Sequence, residues 1–118
     1  MIDVIDSFTN NIIGLFELNT DGTVLYSRTR ENGQLGSPAN EIVGRDFFAD
    51  VARFQNRNEL RRHFHTFLTS SRSVDNFVFD CIYADEVVST KINMTRACER
   101  DSDHTDGIVI IDIKRTAT

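Results

Sequence analysis

The chain has 118 residues, with 13 Lys+Arg against 18 Asp+Glu, and a formal net charge of −5. This length fits one compact domain, residues 1–118. The acidic balance argues against nucleic acid as the main partner, because phosphate binding needs a basic stripe. The apolar runs are far shorter than the roughly 20 residues of a membrane-spanning helix, and no signal-peptide pattern follows Met1. Cys81 and Cys98 form neither a CxxC pair nor a disulfide framework. We therefore expect a cytoplasmic domain that is not attached to a membrane.

The first quarter of the chain predicts a helix followed by a β-hairpin. In residues 1–11, Ile5 and Phe8 recur at helical spacing, which favours a short amphipathic helix that caps a core over residues 12–115. Residues 14–18 then alternate as in a strand. Asn19-Thr20-Asp21-Gly22 supplies turn residues, and residues 23–27 resume the strand pattern.

The middle of the chain predicts helices. Residues 28–35 are polar and irregular. Ser37-Pro38 is typical of an N-cap followed by a first-turn proline, with Gly44 as the end of that short helix. Helical spacing returns at Phe47, Val51 and Phe54. A longer helix is predicted after Asn56 and Asn58, with an apolar stripe formed by Leu60, Phe64, Phe67 and Leu68.

The last third changes to strand periodicity. Phe77, Phe79, Cys81 and Tyr83 share one face of a strand, and Val88, Thr90, Ile92 and Met94 share one face of the next. Residues 107–111 are apolar on both faces, which indicates a central strand. The element order predicts an α+β fold: a five-stranded antiparallel sheet with short helices and one longer helix over one face, and an N-terminal helical cap.

The outer face of this sheet is expected to carry Val78, Ile82 and Val87, which would leave an apolar patch exposed to water. Either the cap or a second copy of the chain should cover it. Ile5 and Phe8 are therefore candidates for cap packing or for dimerisation, and we expect a homodimer.

Three motifs resemble those of PAS sensor domains, in the same order along the chain. Residues 19–26 resemble the opening hairpin, residues 36–48 the short-helix signature, and residues 107–113 the last strand with its Asp112-Ile113 pair. The resemblance implies a sensory, non-catalytic signal-transduction domain. It would act by a shift between two states, biased by a ligand or by a partner, which is a downstream signalling protein or a fused effector.

The likeness is greatest to PAS domains of the photoactive-yellow-protein type. Residues 44–52 are similar to the segment just before the cysteine that carries p-coumarate in that family. The resemblance implies that Phe54 stands at the cysteine position, Ser27 at the tyrosine that holds the phenolate, and Glu31 at the glutamate. A thioester requires a sulfur nucleophile, so we expect no covalent p-coumarate. A solvated carboxylate in a polar loop is the alternative interpretation of Glu31.

The aromatic residues either fill the core or line a ligand cavity between sheet and helices. The candidates for such a pocket are Glu31, Phe47, Phe54, Phe64, Phe79 and Cys81. We expect no resident cofactor, and the alternative is haem or another small molecule. Haem-binding PAS domains commonly use a histidine of the long helix. His63 lies at the edge of the apolar stripe and is the better candidate for an axial ligand, although Arg61-Arg62-His63 more often forms an exposed basic patch.

Signatures of catalysis and of metal binding are missing from the sequence. There is no Gly-rich phosphate loop, nucleophile elbow or HExxH motif, and His104 has no partner at metal-ligand spacing. We therefore predict neither an enzyme nor a metal site.

Overall fold

The chain is built on one antiparallel sheet. A computed structural model of the protein describes residues 12–31, 34–97 and 107–116, with the side chains of residues 31 and 37 outside the description. Its six strands lie in the order β3-β2-β1-β6-β5-β4. They are β1 (Gly14–Leu18), β2 (Val24–Glu31), β3 (Gln34–Pro38), β4 (Val74–Ile82), β5 (Val87–Ala97) and β6 (Ile108–Arg115). The cap predicted for residues 1–11 lies outside the described residues.

The predicted N-terminal hairpin is confirmed. The Asn19 side chain accepts hydrogen bonds from the backbone of Asp21 at 2.9 Å and of Thr23 at 3.0 Å, which fixes the turn. Gly22 completes it with φ of +89°, a value that L-residues rarely adopt. The register with β1 shifts after Val24, and this bulge changes which residues of β2 face inward.

The sheet has six strands where the sequence predicted five. The additional strand is β3, which pairs with β2 across a second register shift. The interpretation of Ser37-Pro38 as a helix start was wrong, because both residues lie in this strand. An edge strand tolerates proline, since the N–H that proline lacks can face away from the ladder.

The short helices of the middle region are shorter than predicted. Residues 40–42 form a single 3-10 turn after Ala39, and Phe47–Val51 forms one π-helical turn. The Asp46 carboxylate caps the π turn by accepting from the backbone of Phe48 and Ala49. Phe54 lies beyond this turn, so its helical spacing with Phe47 and Val51 did not mark one helix.

The long helix α1 (Arg57–Thr69) carries the predicted apolar stripe. Leu60, Phe64 and Phe67 are buried against the sheet, and Leu68 packs at the edge of the core. Asn56 precedes the helix as predicted, but its side chain makes no capping hydrogen bond. It bonds to β4 instead, by donating to the Asp80 carbonyl and accepting from the Ile82 N–H.

The last three strands follow the predicted alternation. Phe79 and Cys81 of β4, and Val88, Thr90, Ile92 and Met94 of β5, are buried. The strand β6 lies between β1 and β5, as expected of a segment that is apolar on both faces. On the opposite face, Val78 and Val87 are 64% and 59% exposed, so the predicted apolar outer patch is present in the described residues.

Replacement of Gly14 by alanine should break the pairing of β1 with β2. A Cβ at this position would lie 2.5 Å from the Arg28 carbonyl oxygen, and backbone cannot move aside as a flexible side chain can. We expect Gly14→Ala to lower the free energy of unfolding by about 3 kcal/mol in urea titrations. Gly107→Ala is the matched control, because a Cβ there meets nothing within 4 Å. Equal stabilities of the two variants would contradict this account.

Candidate functional site

Aromatic rings fill the interior between the sheet and α1. One group links Phe16, Phe47, Phe48 and Phe64, with successive ring centroids 4.9, 5.1 and 5.2 Å apart. A second group surrounds Phe54, whose ring lies 5.8 Å from Phe79 and 6.0 Å from Tyr83. These contacts are at the separations favoured by aromatic pairs, so the rings form a packed core.

Backbone hydrogen bonds hold Phe54 in its inward position. The Gln55 N–H donates to the Ile82 carbonyl at 2.7 Å, and the Asn56 amide makes two further bonds to β4. The loop is thereby fixed to the end of β4 on the C-terminal side of Phe54. The Phe54 side chain is completely buried as a result.

A cavity of about 280 Å³ remains beside this core, at the inner face of β2. Its inner wall combines the Phe16 ring with residues of β2 and of the turns that follow β3. The lining residues are Phe16, Ser27, Thr29, Ala39, Glu41, Ile42, Arg45, Asp50, Val51 and Arg53. Four of these ten residues are apolar and six are polar or charged, so the cavity offers both kinds of contact.

The Ser27 hydroxyl is the polar group at the buried end of this cavity. Ser27 is 2% exposed, and its Oγ has no hydrogen-bond partner in the described part of the chain. A buried hydroxyl without a partner costs about 1–3 kcal/mol. The other buried hydroxyl, of Thr90, donates to the Phe79 carbonyl at 2.7 Å. Ser27 is therefore an unpaired polar group in the wall of the cavity.

Charged residues form the exposed rim of the cavity, which consists of Glu41, Arg45, Asp50 and Arg53. The two arginines are oriented by backbone rather than by carboxylates. Arg45 Nε donates to the Glu41 carbonyl and Arg53 Nε donates to the Asp50 carbonyl. The rim thus places two guanidinium groups and two carboxylates at the entrance, where they can recognise the polar end of a ligand.

None of the ligand-pocket candidates chosen from the sequence whose side chains are described lines this cavity. Phe47, Phe54, Phe64, Phe79 and Cys81 are all buried in the aromatic core. The Glu31 side chain lies outside the described residues. The role of these six residues at a ligand site stays a prediction.

The cavity residues themselves were missed by sequence reasoning, except that the resemblance placed Ser27 at a chromophore-contact position. The signal that could have found them is a polar residue at an inward position of β2. The bulge after Val24 concealed it, because simple alternation puts Leu25 and Ser27 on one face, whereas Leu25 is exposed and Ser27 is buried.

The remaining candidates lie apart from the cavity. His63 is exposed, and its ring stacks on Phe77 with centroids 4.2 Å apart and an interplanar angle of 11°. An axial haem ligand would have to leave this stack and turn into the core, and the assignment stays a prediction. Ile5 and Phe8 lie outside the described residues.

Burial keeps Cys81 and Tyr83 neutral. It raises the pKa of the Cys81 thiol from 9.0 to about 11, with a further contribution from the Asp80 carboxylate. It raises the pKa of Tyr83 from 10.0 to about 12, and the charges of Cys81 and Glu86 add to this effect. Because the thiolate is the reactive form, Cys81 is a poor nucleophile at neutral pH.

The class of protein follows from three features of the fold: the strand order of the sheet, the long helix on one face, and the short helical turns that precede this helix. The PAS domain from Bordetella pertussis BvgS superposes with a TM-score of 0.63 at 8% identity, covering 96% of this chain and 83% of that one. The chain therefore has the PAS fold expected from the sequence. No protein-family model matches it.

The chain is similar to photoactive yellow protein both in sequence and in structure. The protein from Halochromatium salexigens is 26% identical over 89 residues, which are 75% of this chain and 71% of that protein. The photoactive yellow protein domain of the sensor histidine kinase Ppr from Rhodospirillum centenum superposes with a TM-score of 0.57 at 20% identity, covering 93% and 91% of the two chains. This chain is thus a PAS-fold domain similar to photoactive yellow protein. In its described part, no helix is long and apolar enough to cross a membrane.

Removal of the Ser27 hydroxyl should stabilise the protein. Alanine eliminates the unpaired buried group, so Ser27→Ala should raise the free energy of unfolding by about 1 kcal/mol in urea titrations. Thr90→Val is the matched control, because it removes a buried hydroxyl that is paired, and it should cost about 1 kcal/mol. A loss of stability in Ser27→Ala would mean that the hydroxyl has a partner in solution.

The free energy of unfolding should fall at alkaline pH, because burial favours the neutral forms of the Cys81 thiol and the Tyr83 hydroxyl. The folded state holds the Cys81 proton more tightly than the unfolded state, so this stability is present below pH 9 and is lost as pH rises to about 11. The loss should be about 2 kcal/mol over this interval, measured by urea titration at each pH. Cys81→Ala should remove the part of the decline that begins at pH 9 and leave the part that Tyr83 contributes from pH 10 to about 12. Tyr83→Phe should keep the Cys81 part and make the decline above pH 10 smaller, and an unchanged profile in both variants would refute the assignment.

Proposed function

We propose that this chain is a non-catalytic sensory module of signal transduction that works without a covalent chromophore. It responds to a small molecule held non-covalently in the cavity at Ser27. The observation that carries this proposal is the buried ring of Phe54 at the position where the resemblance implies the chromophore cysteine. The 280 Å³ cavity at the inner face of β2 supplies the room for a ligand.

The chemistry at Phe54 favours non-covalent binding. A phenylalanine offers no nucleophile, and the hydrogen bonds of Gln55 and Asn56 hold its ring against Phe79 and Tyr83. The described cysteine, Cys81, lies on β4 and is buried as a neutral thiol. A thioester at Cys81 would require the core to open.

The cavity has the features of a site for a small amphipathic molecule. A hydroxyl or carbonyl group near Ser27 would pair the unsatisfied Oγ, and an apolar body would contact Phe16, Ile42 and Val51. A carboxylate at the rim could then meet the guanidinium of Arg45 or Arg53. A ligand of about ten non-hydrogen atoms would make all three kinds of contact.

One ion pair offers a route from the cavity to the end of the chain. Ser27 and Thr29 line the cavity from β2, and Arg30 of the same strand donates to both carboxylate oxygens of Asp112, at 2.9 to 3.2 Å. The side chains are only 12% and 19% exposed, so water weakens this pair less than it weakens a surface pair. A displacement of β2 by ligand would therefore be felt at β6, two strands away, where it could bias a two-state equilibrium.

We also propose that the chain forms a homodimer in the cytoplasm. Its partner is a downstream signalling protein or a fused effector. It is supported by the relatives: the domain of Ppr belongs to a sensor histidine kinase. Nucleic acid and membrane are not proposed as partners. Native mass of the purified protein over a range of concentrations tests the dimer.

The ligand site can be tested with three free probes: phenol, 4-hydroxybenzoate and p-coumarate. We expect at least one to give reversible, saturable shifts of the amide resonances of Ser27, Thr29 and Val51, with a Kd in the micromolar to millimolar range. Mass spectrometry after denaturation should show the unmodified chain.

Ser27→Leu should abolish these shifts by filling the cavity, whereas Thr66→Leu, at an exposed position of α1, should leave them unchanged. The proposal would be overturned by a covalent adduct, by a Soret band in the absorption spectrum of the purified protein, or by failure of all three probes to saturate the cavity.

A further inference from the structure

The two edges of the sheet are protected to different degrees. The strand β3 forms one edge, and it is short, ends at Pro38 and pairs with β2 across a register shift. The strand β4 forms the other edge. It runs for nine residues, pairs with β5 without any shift, and contains no lysine, arginine or proline. Natural edge strands are commonly blunted by a bulge, a proline or a lysine. Because β4 has none of these, its unpaired side can accept another strand.

Hydrogen bonds at the end of β4 show which of its residues point to this unpaired side. The Ile82 N–H, the Ile82 carbonyl and the Asp80 carbonyl all bond to the loop before α1, not to β5. Backbone groups alternate in direction along an antiparallel strand, so those of Val74, Asn76 and Val78 point the same way. The loop covers the end of β4 at Asp80 and Ile82. Within the described residues, the outward backbone groups of the other three positions have no hydrogen-bond partner.

The three uncovered positions have the same sequence in both directions: valine, asparagine, valine. Val74 and Val78 are 42% and 64% exposed, and Asn76 between them is exposed as well. A two-fold symmetric interface places residue i opposite residue j and residue j opposite residue i, so it requires a self-complementary pattern. An antiparallel pair centred on Asn76 sets each valine opposite a valine and the asparagine opposite itself. The strand that fits this edge is therefore a second copy of β4.

We propose that two copies of this chain pair along Val74, Asn76 and Val78, which we call the open edge. This inference rests on the homodimer proposed above and names the surface that forms it. The two sheets join into one, with the two-fold axis at Asn76. The three residue pairs exchange about six backbone hydrogen bonds, two for each pair. The exposed valines of the two copies pack against each other at the same time.

The inner face of β4 fits the same register. Asp75 then lies opposite Phe77 of the second copy, and that ring carries the stacked imidazole of His63 at a centroid distance of 4.2 Å. Side chains directly opposite on antiparallel strands have Cβ atoms about 4.5–5.5 Å apart, so the Asp75 carboxylate can approach this imidazole. Asp75 is held beside the strand by Arg72 of its own chain at 3.4 Å. The pairing thus brings an acidic group of each copy to a basic group of the other.

The first test is a disulfide at the two-fold axis. The two Asn76 Cα atoms would lie about 5.5 Å apart, a distance that a disulfide spans. In a Cys98→Ser background, we expect Asn76→Cys to give a covalent dimer on mild oxidation. Asn93→Cys is the matched control, because Asn93 is an exposed asparagine directly opposite Asn76 on β5, one strand inside the edge. Equal cross-linking of the two variants, or no cross-linking of Asn76→Cys, would overturn the proposal.

The second test is the dimer Kd, measured by analytical ultracentrifugation. Asn76→Pro removes the N–H at the centre of the pairing, and the monomer keeps its ladder because this N–H points away from β5. We expect the Kd to rise roughly tenfold or more, since both central hydrogen bonds are lost. Val78→Lys should also raise the Kd, because a lysine on an edge opposes pairing. Val87→Lys is the matched control, at a valine that is 59% exposed on β5, away from the open edge. Its Kd should change by less than about threefold, since salt screens a charge at that distance.

Circular dichroism checks that each variant is folded. An unchanged Kd in folded Asn76→Pro would overturn pairing at the open edge and leave the proposed homodimer standing, and if that variant does not fold, Val78→Lys decides in the same way. A wild-type chain that is a monomer at every concentration would overturn both. Neither result bears on the ligand proposed for the Ser27 cavity, which is tested separately by the saturable amide shifts.

Discussion

The attachment of residues 55 and 56 to the end of β4 decides what the interior of this domain can hold. Three hydrogen bonds, from the Gln55 backbone and the Asn56 amide, fix the loop and direct the Phe54 ring inward. Because protein interiors are close-packed, the ring leaves no free space at that position. The free space lies instead at β2, where Ser27 provides an unpaired hydroxyl. Local backbone geometry therefore determines where the domain has space for a ligand.

The two faces of the sheet carry two different kinds of chemistry. The inner face joins the aromatic core to a cavity with one buried polar group, which suits a small molecule. The outer face carries the Arg30–Asp112 ion pair and the directly opposed Lys91 and Lys114. Both faces meet in β2 and β6, where neighbouring residues point to opposite sides. Thr29 lines the cavity on the inner face, and the next residue, Arg30, forms the ion pair on the outer face. A displacement of Thr29 would therefore also displace Arg30.

Periodicity predicted most of the fold, because burial on one face imposes it directly. The alternation of β4 and β5 and the stripe of α1 were correct for this reason. The strand β3 was missed because an edge strand needs no apolar alternation, so Gln34–Pro38 has a polar sequence. The π turn at Phe47–Val51 depends on the Asp46 cap and on packing, which periodicity does not encode. Ser27 was missed as a cavity residue because a bulge reverses the alternation, and a bulge depends on pairing with β1.

The sheet has two positions at which the sequence lowers its own stability. An inward serine without a partner and two opposed lysines each lower the stability of the isolated sheet. Natural sequences are otherwise consistent across local and global preferences, so such exceptions concentrate where a protein binds something. The two costs also call for different remedies. A buried hydroxyl is paired by a neutral hydrogen-bonding group of small size, whereas exposed ammonium groups are compensated by negative charge. The chemistry of the inner face therefore differs from that of the outer face.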